Sequence, residues 1–311
     1  MKKLLLLLLL LPTFLFAQYQ IGQDIDGEAA GDLSGWSVSQ SDDGNIVAIG
    51  APGNGGNFHG HVRVYSWNGI SWNQLGQDID GAVGTWTGVS LSLSSNGNIL
   101  AIGSPAFGAG SVRIYNYNGS SWVQIGQDIV GDAAGDYSGW TNGLSLSSNG
   151  STVAIGAAGT INVSNITGYV RIYQNINGTW TQIGQDIDGN APNDAFASVS
   201  LSNDGNTLAI GAHAGGYVKI YNWDGISWNQ LGQDINGTGQ FGFSLSLSGD
   251  GDVVAVGARS GSSSGHAKIY NWDGVSWNQL GQDINGEVAG DESGWAVSLS
   301  SDGNNIAIGA P

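Results

Sequence analysis

The tetrapeptide Gly-Gln-Asp-Ile recurs along the chain about every fifty residues, and no other feature restricts the possible folds as strongly. It begins at Gly22, Gly76, Gly126, Gly184, Gly232 and Gly281. Two further runs recur at the same interval: Val-Ala-Ile-Gly-Ala, first at residues 47–51, and Val-Arg-Val-Tyr, first at residues 62–65. A unit of this length buries too little apolar surface alone, so neighbouring units must stack into one continuous core.

Each unit predicts four antiparallel strands. Strand a is an alternating Val/Leu-Ser run, such as residues 89–93, with the period of two typical of a strand. Asp-Gly or Asn-Gly, as at Asp43-Gly44, then supplies the positive φ of a two-residue hairpin and leads into strand b, the Val-Ala-Ile-Gly-Ala run. Strand c is the Val-Arg-Val-Tyr run. After a second such hairpin, strand d leads from a tryptophan, first Trp72, into Gly-Gln-Asp-Ile.

Four-stranded units of this length fit the blades of a β-propeller. We therefore predict an all-β chain, a β-propeller of about six four-stranded blades. Between the termini lie five complete units. Residues 19–25 supply only a strand d and residues 295–311 only strands a and b, so we expect both ends to share the sixth blade. Because the chain stops within a motif, at Gly309-Ala310-Pro311, a truncated reading frame or a fragment is expected.

Residues 1–17 have the pattern of a secretory signal peptide: Lys2-Lys3, an apolar run, and Ala17, after which cleavage is expected. The apolar run is shorter than the roughly 20 residues that span a bilayer, although an N-terminal anchor helix is the alternative. The absence of cysteine excludes a lipid anchor, disulfides and thiolate metal sites. We predict a secreted or cell-surface protein whose residues 18–311 form the propeller, without membrane insertion of the mature chain.

The chain is strongly acidic, with 25 Asp and Glu residues against 8 Lys and Arg, a net charge of −17 at pH 7. Binding of a phosphate backbone or an anionic membrane needs basic patches. The composition therefore argues against nucleic acid and membrane partners. An extracellular protein or a glycan is the expected partner.

Three motifs together resemble the FG-GAP repeat: Phe241-Gly242 before strand a, Gly50-Ala51-Pro52 after strand b, and Gly-His-Val-Arg-Val-Tyr at residues 60–65. FG-GAP repeats form the β-propeller of integrin α-chains and of many bacterial surface proteins, and the similarity extends over residues 18–311. The units also look like WD40 repeats, whose Trp-Asp ending is echoed at Trp223-Asp224. The resemblance implies an adhesion or interaction module.

The resemblance also implies calcium, which FG-GAP blades often bind through an Asp-rich loop between strands a and b. In the first unit Asp43 is the one carboxylate kept, since Ser39, Ser41 and Val47 stand at the other positions. So short a hairpin cannot wrap a cation that takes six to eight oxygen ligands. We predict no cofactor, calcium being possible but unsupported by these loops.

The antiparallel topology separates two faces of the disc. The short a–b and c–d hairpins lie on one face, and the variable b–c loops and d–a linkers lie on the other. Variable loops on a rigid scaffold usually carry function. We predict this second face to bind the ligand through acidic linker residues, a merely solvated rim being the alternative. The candidates are Asp26, Glu28, Asp32, Asp132, Asp136, Asp188, Asp194, Glu287, Asp291 and Glu292.

No catalytic site is predicted, because most acidic residues recur in register with the repeat, and no histidine or carboxylate cluster is evident outside that register. The recurring aspartates are predicted to be structural, and the tryptophans to pack between blades rather than to stack on sugars. His61 and His266, which fill one variable slot, are expected at the surface. The predicted function is a non-catalytic adhesion or interaction module. A lectin-like carbohydrate-binding propeller is the alternative, a polysaccharide-processing enzyme is third, and an envelope array protein is also open.

Overall fold

The computed structural model describes residues 20–105, 108–158, 167–192, 194–259 and 263–311. The predicted signal peptide, residues 1–17, lies outside these ranges. Within them, one short helical turn occurs, Asn54–Phe58 in the first b–c loop, and no helix is long and apolar enough to cross a bilayer.

Five sheets repeat the predicted order of four antiparallel strands, a to d, and each adds a two-residue strand that continues d and pairs with c. The first blade contains β1 (Ser37–Gln40), β2 (Ile46–Ala51), β3 (His61–Trp67), β4 (Trp72–Gln74) and β5 (Ile79–Asp80). The second contains β6 (Ser90–Leu93), β7 (Ile99–Ser104), β8 (Ser111–Tyr117), β9 (Trp122–Gln124) and β10 (Ile129–Val130). The third contains β11 (Leu144–Leu146), β12 (Thr152–Ala157), β13 (Tyr169–Ile176), β14 (Thr179–Gln182) and β15 (Ile187–Asp188).

The fourth blade contains β16 (Phe196–Leu201), β17 (Thr207–Ala212), β18 (Tyr217–Trp223), β19 (Trp228–Gln230) and β20 (Ile235–Asn236). The fifth contains β21 (Phe241–Leu247), β22 (Val253–Ala258), β23 (His266–Trp272), β24 (Trp277–Gln279) and β25 (Ile284–Asn285). A two-stranded sheet follows, formed by β26 (Ala296–Leu299) and β27 (Ile306–Gly309).

The sheets form a β-propeller, as predicted. Strand a of each blade lies beside strand a of the next, so these strands line a central channel. Their small serines join the blades: Ser90 Oγ donates to the Gly139 carbonyl at 2.6 Å, and Ser92 Oγ accepts from the Leu146 amide at 2.9 Å. The serines that alternate with apolar residues along strand a therefore also form hydrogen bonds between neighbouring blades.

The hydrophobic core lies between adjacent blades, and the tryptophans that open strand d are part of it. Trp180 is 2% exposed, and its Nε1 donates to the Ile125 carbonyl of the preceding blade at 3.0 Å. The Gln127 side chain donates to the Trp180 carbonyl at 2.6 Å and accepts from the Trp180 amide at 3.2 Å. The glutamine of Gly-Gln-Asp-Ile is thus a clamp on the next blade. The predicted packing of these tryptophans between blades is confirmed.

The aspartate of the same motif acts within its own blade. Asp186 accepts from Arg171 of strand c, at 3.0 Å from Nε and 2.7 Å from Nη2, and from the Gln182 amide at 2.7 Å. These bonds, led by that from Arg171, lower the pKa of Asp186 below its usual value. The predicted structural role is confirmed, with the basic residue of strand c as the partner.

The two termini contribute to opposite sides of one gap in the ring. The C-terminal share is the β26–β27 sheet, which packs on the fifth blade. The N-terminal share lies on the first blade, where the Gln23 side chain donates to the Trp72 carbonyl at 2.8 Å. In the described part of the chain no strand pairs the two shares.

Candidate functional site

The d–a linkers and b–c loops share one face of the disc, as predicted. The Gly53 amide donates to the Asp32 carbonyl at 3.0 Å, and the Ala214 amide donates to the Asp194 carbonyl at 3.2 Å. Strand a begins on this face, so the residues around its start surround the mouth of the central channel. A candidate site is expected where these residues depart from the repeat.

Two rings of variable residues surround the channel mouth. The first ring has a positive φ in all six units, although none of its members is glycine: Leu33, Trp86, Tyr137, Ala195, Gln240 and Glu292. The second ring stands close to the start of strand a: Trp36, Val89, Trp140, Ala197, Phe243 and Trp295. A backbone that repeats while its side chains differ is a scaffold on which recognition can vary. The left-handed backbone is therefore a property of the repeat and not of one site.

A third position breaks the repeat more sharply. Strand b ends in Gly-Ala or Gly-Ser, and the next residue is Pro52, Pro105 or Pro311 in three of the units. In the fourth and fifth blades this proline is replaced by His213 and Arg259. The third blade has Ala158 at this position. The pair was not among the residues predicted from the sequence, and the signal that could have found it was a polar side chain in place of proline after Gly-Ala in two consecutive blades.

Arg259 is held between two members of the second ring. Its Cζ lies 4.0 Å from the centroid of the Phe243 ring and 4.3 Å from that of Trp295, so its planar cation contacts two aromatic rings. Its Nε donates to the Gln240 side chain at 2.9 Å, and its Nη1 lies 4.0 Å from a Glu292 carboxylate oxygen. Aromatic, amide and carboxylate groups from two linkers thus orient one guanidinium at the channel mouth.

His213 packs against the same aromatic cluster, with its ring centroid 5.3 Å from that of Phe243. Burial, and the nearby charge of Arg259, lower the pKa of His213 from 6.5 to about 4. The imidazole is therefore neutral at neutral pH and has a lone pair available to accept a proton. A neutral base next to a fixed cation is a pairing that can activate water and stabilise a developing anion.

A second aromatic cluster lies across the channel on the second and third blades. Phe58 stacks on Trp86 with ring centroids 4.6 Å apart, and Trp140 lies 6.3 Å from Trp86 and 5.5 Å from Tyr137. Trp140 is 37% exposed, so part of the cluster faces solvent. Exposed aromatic faces of this kind can pack against the apolar face of a ring-shaped ligand.

Asn142 connects the two sides of the mouth. Its side-chain amide, which belongs to a loop inserted before strand a of the third blade, donates to the Phe243 carbonyl of the fifth blade at 2.9 Å. A cavity of about 560 Å³ in the channel is lined by Trp36, Asn142 and strand a residues of several blades, and neither His213 nor Arg259 is among the residues that line it. This volume is in the range of small-molecule sites.

The ten acidic residues predicted for the ligand face occupy four kinds of position. Asp32, Asp136, Asp194 and Asp291 each accept backbone amides of their own linker, and the first three are nearly buried. Glu28 and Asp132 pair with Arg63 and Arg171 of strand c. Asp26, Asp188 and Glu287 are exposed. Glu292 alone joins the cluster around Arg259. Ligand binding by this acidic set stays a prediction.

The prediction that His61 lies at the surface is wrong. His61 is 3% exposed at the start of strand c, where its backbone pairs with Asp80 of β5. Its ring lies beside Glu28 and Asp78, and one ligand atom from each of the three residues could approach a common cation. Arg63 donates to both carboxylates and offsets one of their two negative charges, which disfavours a metal ion. The Nε2 of His266, in the same slot of the fifth blade, is likewise buried.

The hairpin aspartates considered for calcium are engaged by their own turns. Asp43 accepts from the Ser41 hydroxyl at 2.7 Å and from the Asn45 amide at 3.0 Å. These bonds, led by the one from the backbone of Asn45, lower the pKa of the Asp43 carboxyl. Their geometry is that of a turn-stabilising aspartate.

No protein-family model and no curated protein sequence matches this chain. Several solved structures share its fold. A periplasmic gluconolactonase of Pseudomonas aeruginosa is 17% identical with a TM-score of 0.59, over 80% of this chain and 71% of that one. A candidate 6-phosphogluconolactonase of Bacteroides uniformis is 12% identical with a TM-score of 0.63, over 88% and 77%. TolB of Acinetobacter baumannii is 15% identical with a TM-score of 0.51, over 81% and 54%.

These neighbours correct the predicted function. A non-catalytic module, adhesive or lectin-like, was expected because no site outside the repeat register was evident. The structural neighbours include enzymes named as lactonases, which contradicts that expectation and the prediction that the chain is not an enzyme. The structure also shows a cluster outside the repeat register, formed by His213, Arg259 and Glu292, that the sequence did not reveal. At these identities the likeness itself shows the fold, and the fold is a β-propeller.

Proposed function

We propose that this protein is a lactonase-type hydrolase that opens the ring ester of a sugar-derived acid at the channel mouth. The observation that carries the proposal is the pairing of Arg259 with a neutral His213, which replace proline in two adjacent blades. The named lactonases of the same fold support it, because they are propellers that carry this chemistry.

In the proposed reaction His213 acts as the general base and Arg259 stabilises the developing negative charge. A water molecule attacks the carbonyl carbon of the ring ester while an imidazole nitrogen of His213 takes one of its protons. The Arg259 guanidinium stabilises the negative charge that develops on the carbonyl oxygen. The ring C–O bond then breaks, and the proton passes from His213 to the leaving ring oxygen. The product is the open-chain hydroxy acid.

The aromatic clusters supply orientation in this proposal. Trp140 offers a partly exposed ring on one side of the mouth, and Trp295 stacks on Arg259 on the other. Because Trp295 and Phe243 hold the guanidinium from two sides, its position changes little when substrate binds. Such preorganisation lowers the reorganisation needed to reach the transition state.

Hydrolysis of δ-gluconolactone, followed in a pH-stat, tests the proposal. The protein is expected to accelerate hydrolysis above the spontaneous rate. His213→Ala and Arg259→Met are each expected to lower kcat/KM at least about 100-fold, in the range for loss of a general base or an oxyanion donor. His59→Ala, a histidine on the same face, is the matched control and should retain activity. No acceleration by the native protein, or full activity of the His213→Ala variant, would contradict the proposal.

We also propose, from the sequence, that the protein is exported and that its repeats are of the FG-GAP type. A signal peptide at residues 1–17, cleaved after Ala17, predicts that the exported protein begins at Gln18. Mass spectrometry of the protein recovered from the periplasm or medium checks this. Membership of the FG-GAP type is supported by Gly50-Ala51-Pro52 and Phe241-Gly242.

A further inference from the structure

Strand a of each blade contributes one aliphatic residue to the same level of the central channel. These residues pair with equivalent positions of strand b, Val38 with Ile49 and Leu245 with Val256, so the repeat places them at one height. Leu91 and Leu245 are partly exposed, although strand a is the innermost strand of its blade. The aliphatic belt defined in this way lines the cavity of about 560 Å³ and consists of Val38, Leu91, Leu144, Val199, Leu245 and Val297.

The serines on either side of the belt are engaged in joining blades. Before Val199, Ser198 Oγ donates to the Gly242 carbonyl at 2.6 Å, and after it Ser200 Oγ accepts from the Leu247 amide at 2.9 Å. The serine after the belt residue makes the same bond in the other four complete blades. A buried polar group costs free energy unless it is hydrogen-bonded, whereas a buried methylene group contributes favourably. This level of the channel therefore favours an apolar ligand group.

The belt lies directly inside the channel mouth. Trp36, Phe243 and Trp295 of the second ring each precede a belt residue by two positions, which is about 7 Å along an extended chain. Phe243 and Trp295 also hold the guanidinium of Arg259. The cavity is lined by Trp36 and the belt, whereas His213 and Arg259 stand outside its lining. A ligand that reacts beside His213 and Arg259 therefore has room to extend a chain past the aromatic rings into the channel.

We propose that the substrate is an amphiphile: a sugar-acid lactone that carries a linear aliphatic chain on one hydroxyl group. The lactone ring lies at the mouth, and the chain packs against the aliphatic belt. This assignment rests on the proposed function and names its substrate class. Each methylene group that leaves water should raise kcat/KM about fourfold. Unsubstituted gluconolactone is then a truncated substrate.

Hydrolysis of 6-O-alkyl gluconolactones with methyl, butyl and octyl chains tests this assignment. Alkyl ethers are used because the lactone is their only bond that the enzyme is expected to hydrolyse. In the native protein kcat/KM should rise with chain length. The triple variant Val38→Thr, Val199→Thr, Val297→Thr changes side-chain volume little but adds hydroxyl groups to the belt. It should lower the ratio of octyl to methyl kcat/KM at least about tenfold.

The matched control makes the same three changes at valines that are exposed and do not line the cavity. Val83→Thr, Val123→Thr and Val275→Thr together should leave the ratio of octyl to methyl kcat/KM unchanged. An equal loss in this variant would show that the belt is not the cause.

Thiol protection locates the chain without relying on hydrolysis. The protein contains no cysteine, so Leu245→Cys places a single thiol in the belt. Octyl β-D-glucoside, below its micelle-forming concentration, should slow the reaction of this thiol with a methanethiosulfonate reagent, and methyl β-D-glucoside should not. Val275→Cys, at an exposed hairpin, is the control and should react equally fast with either glucoside.

The two readouts separate this assignment from the proposed function. Hydrolysis of gluconolactone without a gain from chain length, or without protection of the belt thiol, overturns the assignment and leaves the lactonase proposal standing. Failure to hydrolyse any lactone overturns the proposed function, and the assignment with it, whether or not the thiol is protected.

Discussion

Single replacements in a repeated frame create the asymmetry at the channel mouth. His213 and Arg259 stand where three other units have proline and the third blade has Ala158, at the end of a strand whose position the repeat already determines. Their neighbours Phe243 and Trp295 come from linkers that likewise keep one backbone and vary the side chain. The site therefore requires few changes, because the strands that present it are common to all blades.

The pKa of His213 makes stability depend on pH. An unfolded imidazole binds a proton near pH 6.5, whereas the folded one does so only near pH 4. Between these values the unfolded chain holds more protons, so the free energy of unfolding decreases as the pH falls from 6.5 to 4. We expect His213→Phe to lose less stability over this window, by up to about 3 kcal/mol, measured by urea unfolding. Equal losses in both proteins would contradict this account of His213.

The same pKa predicts the pH profile of hydrolysis. If neutral His213 is the base, kcat/KM is constant from about pH 5.5 to 7, after correction for spontaneous hydrolysis, and falls as the pH approaches 4. An inflection near pH 6.5 would instead indicate a histidine with an ordinary pKa as the base.

At the scale of the element, strand d is interrupted, and the residues between its two parts bond the next blade. Gly126 has a positive φ of 71° at the point where the strand leaves its own sheet. Directly after it, Gln127 bonds both backbone groups of Trp180. An outer strand that ends early in its own blade thereby joins two blades.

Gln127→Met tests this clamp. It leaves the partly buried backbone N–H and C=O of Trp180 without these partners, and we expect a loss of about 1–3 kcal/mol in the free energy of unfolding. Gln23→Met removes the same bonds to Trp72 at the gap in the ring, where water can replace them, and should cost less. Urea denaturation of both variants measures the difference. An equal loss in the free energy of unfolding for the two variants would show that burial does not change how much these hydrogen bonds stabilise the protein.

For the whole molecule, the gap in the ring predicts unequal local stability. All residues of β17 are buried, whereas those of β26 and β27 are partly or fully exposed. Few buried contacts allow local opening without unfolding of the ring. Amides of the β26–β27 sheet should therefore exchange at least about 100-fold faster than those of β16–β17, measured by native-state hydrogen exchange. Equal protection would mean that the partial sheet opens only with the whole ring.

Much of the fold was predictable because its causes are local. The hairpins follow from Asn-Gly and Asp-Gly, and the strands from alternation, so blade number and strand order were predicted correctly. Burial was harder to predict. His61 was expected at the surface but is 3% exposed, with Glu28 and Asp78 beside its ring, and no local pattern in the sequence predicts these neighbours. Asp32 and Asp136 were expected to face a ligand, yet they bond their own linkers.

The sequence by itself determined the repeating unit and the ring it must form, since periodicity and turn chemistry act over a few residues. Only the tertiary structure decided which irregular residues meet. Asn142 and Phe243 are 101 residues apart and touch across the channel. His213 and Arg259 both contact the Phe243 ring only because consecutive blades stand side by side. Similar units carry no local information about their distant neighbours, so the arrangement of the blades around the channel, and not the motif, brings the site together.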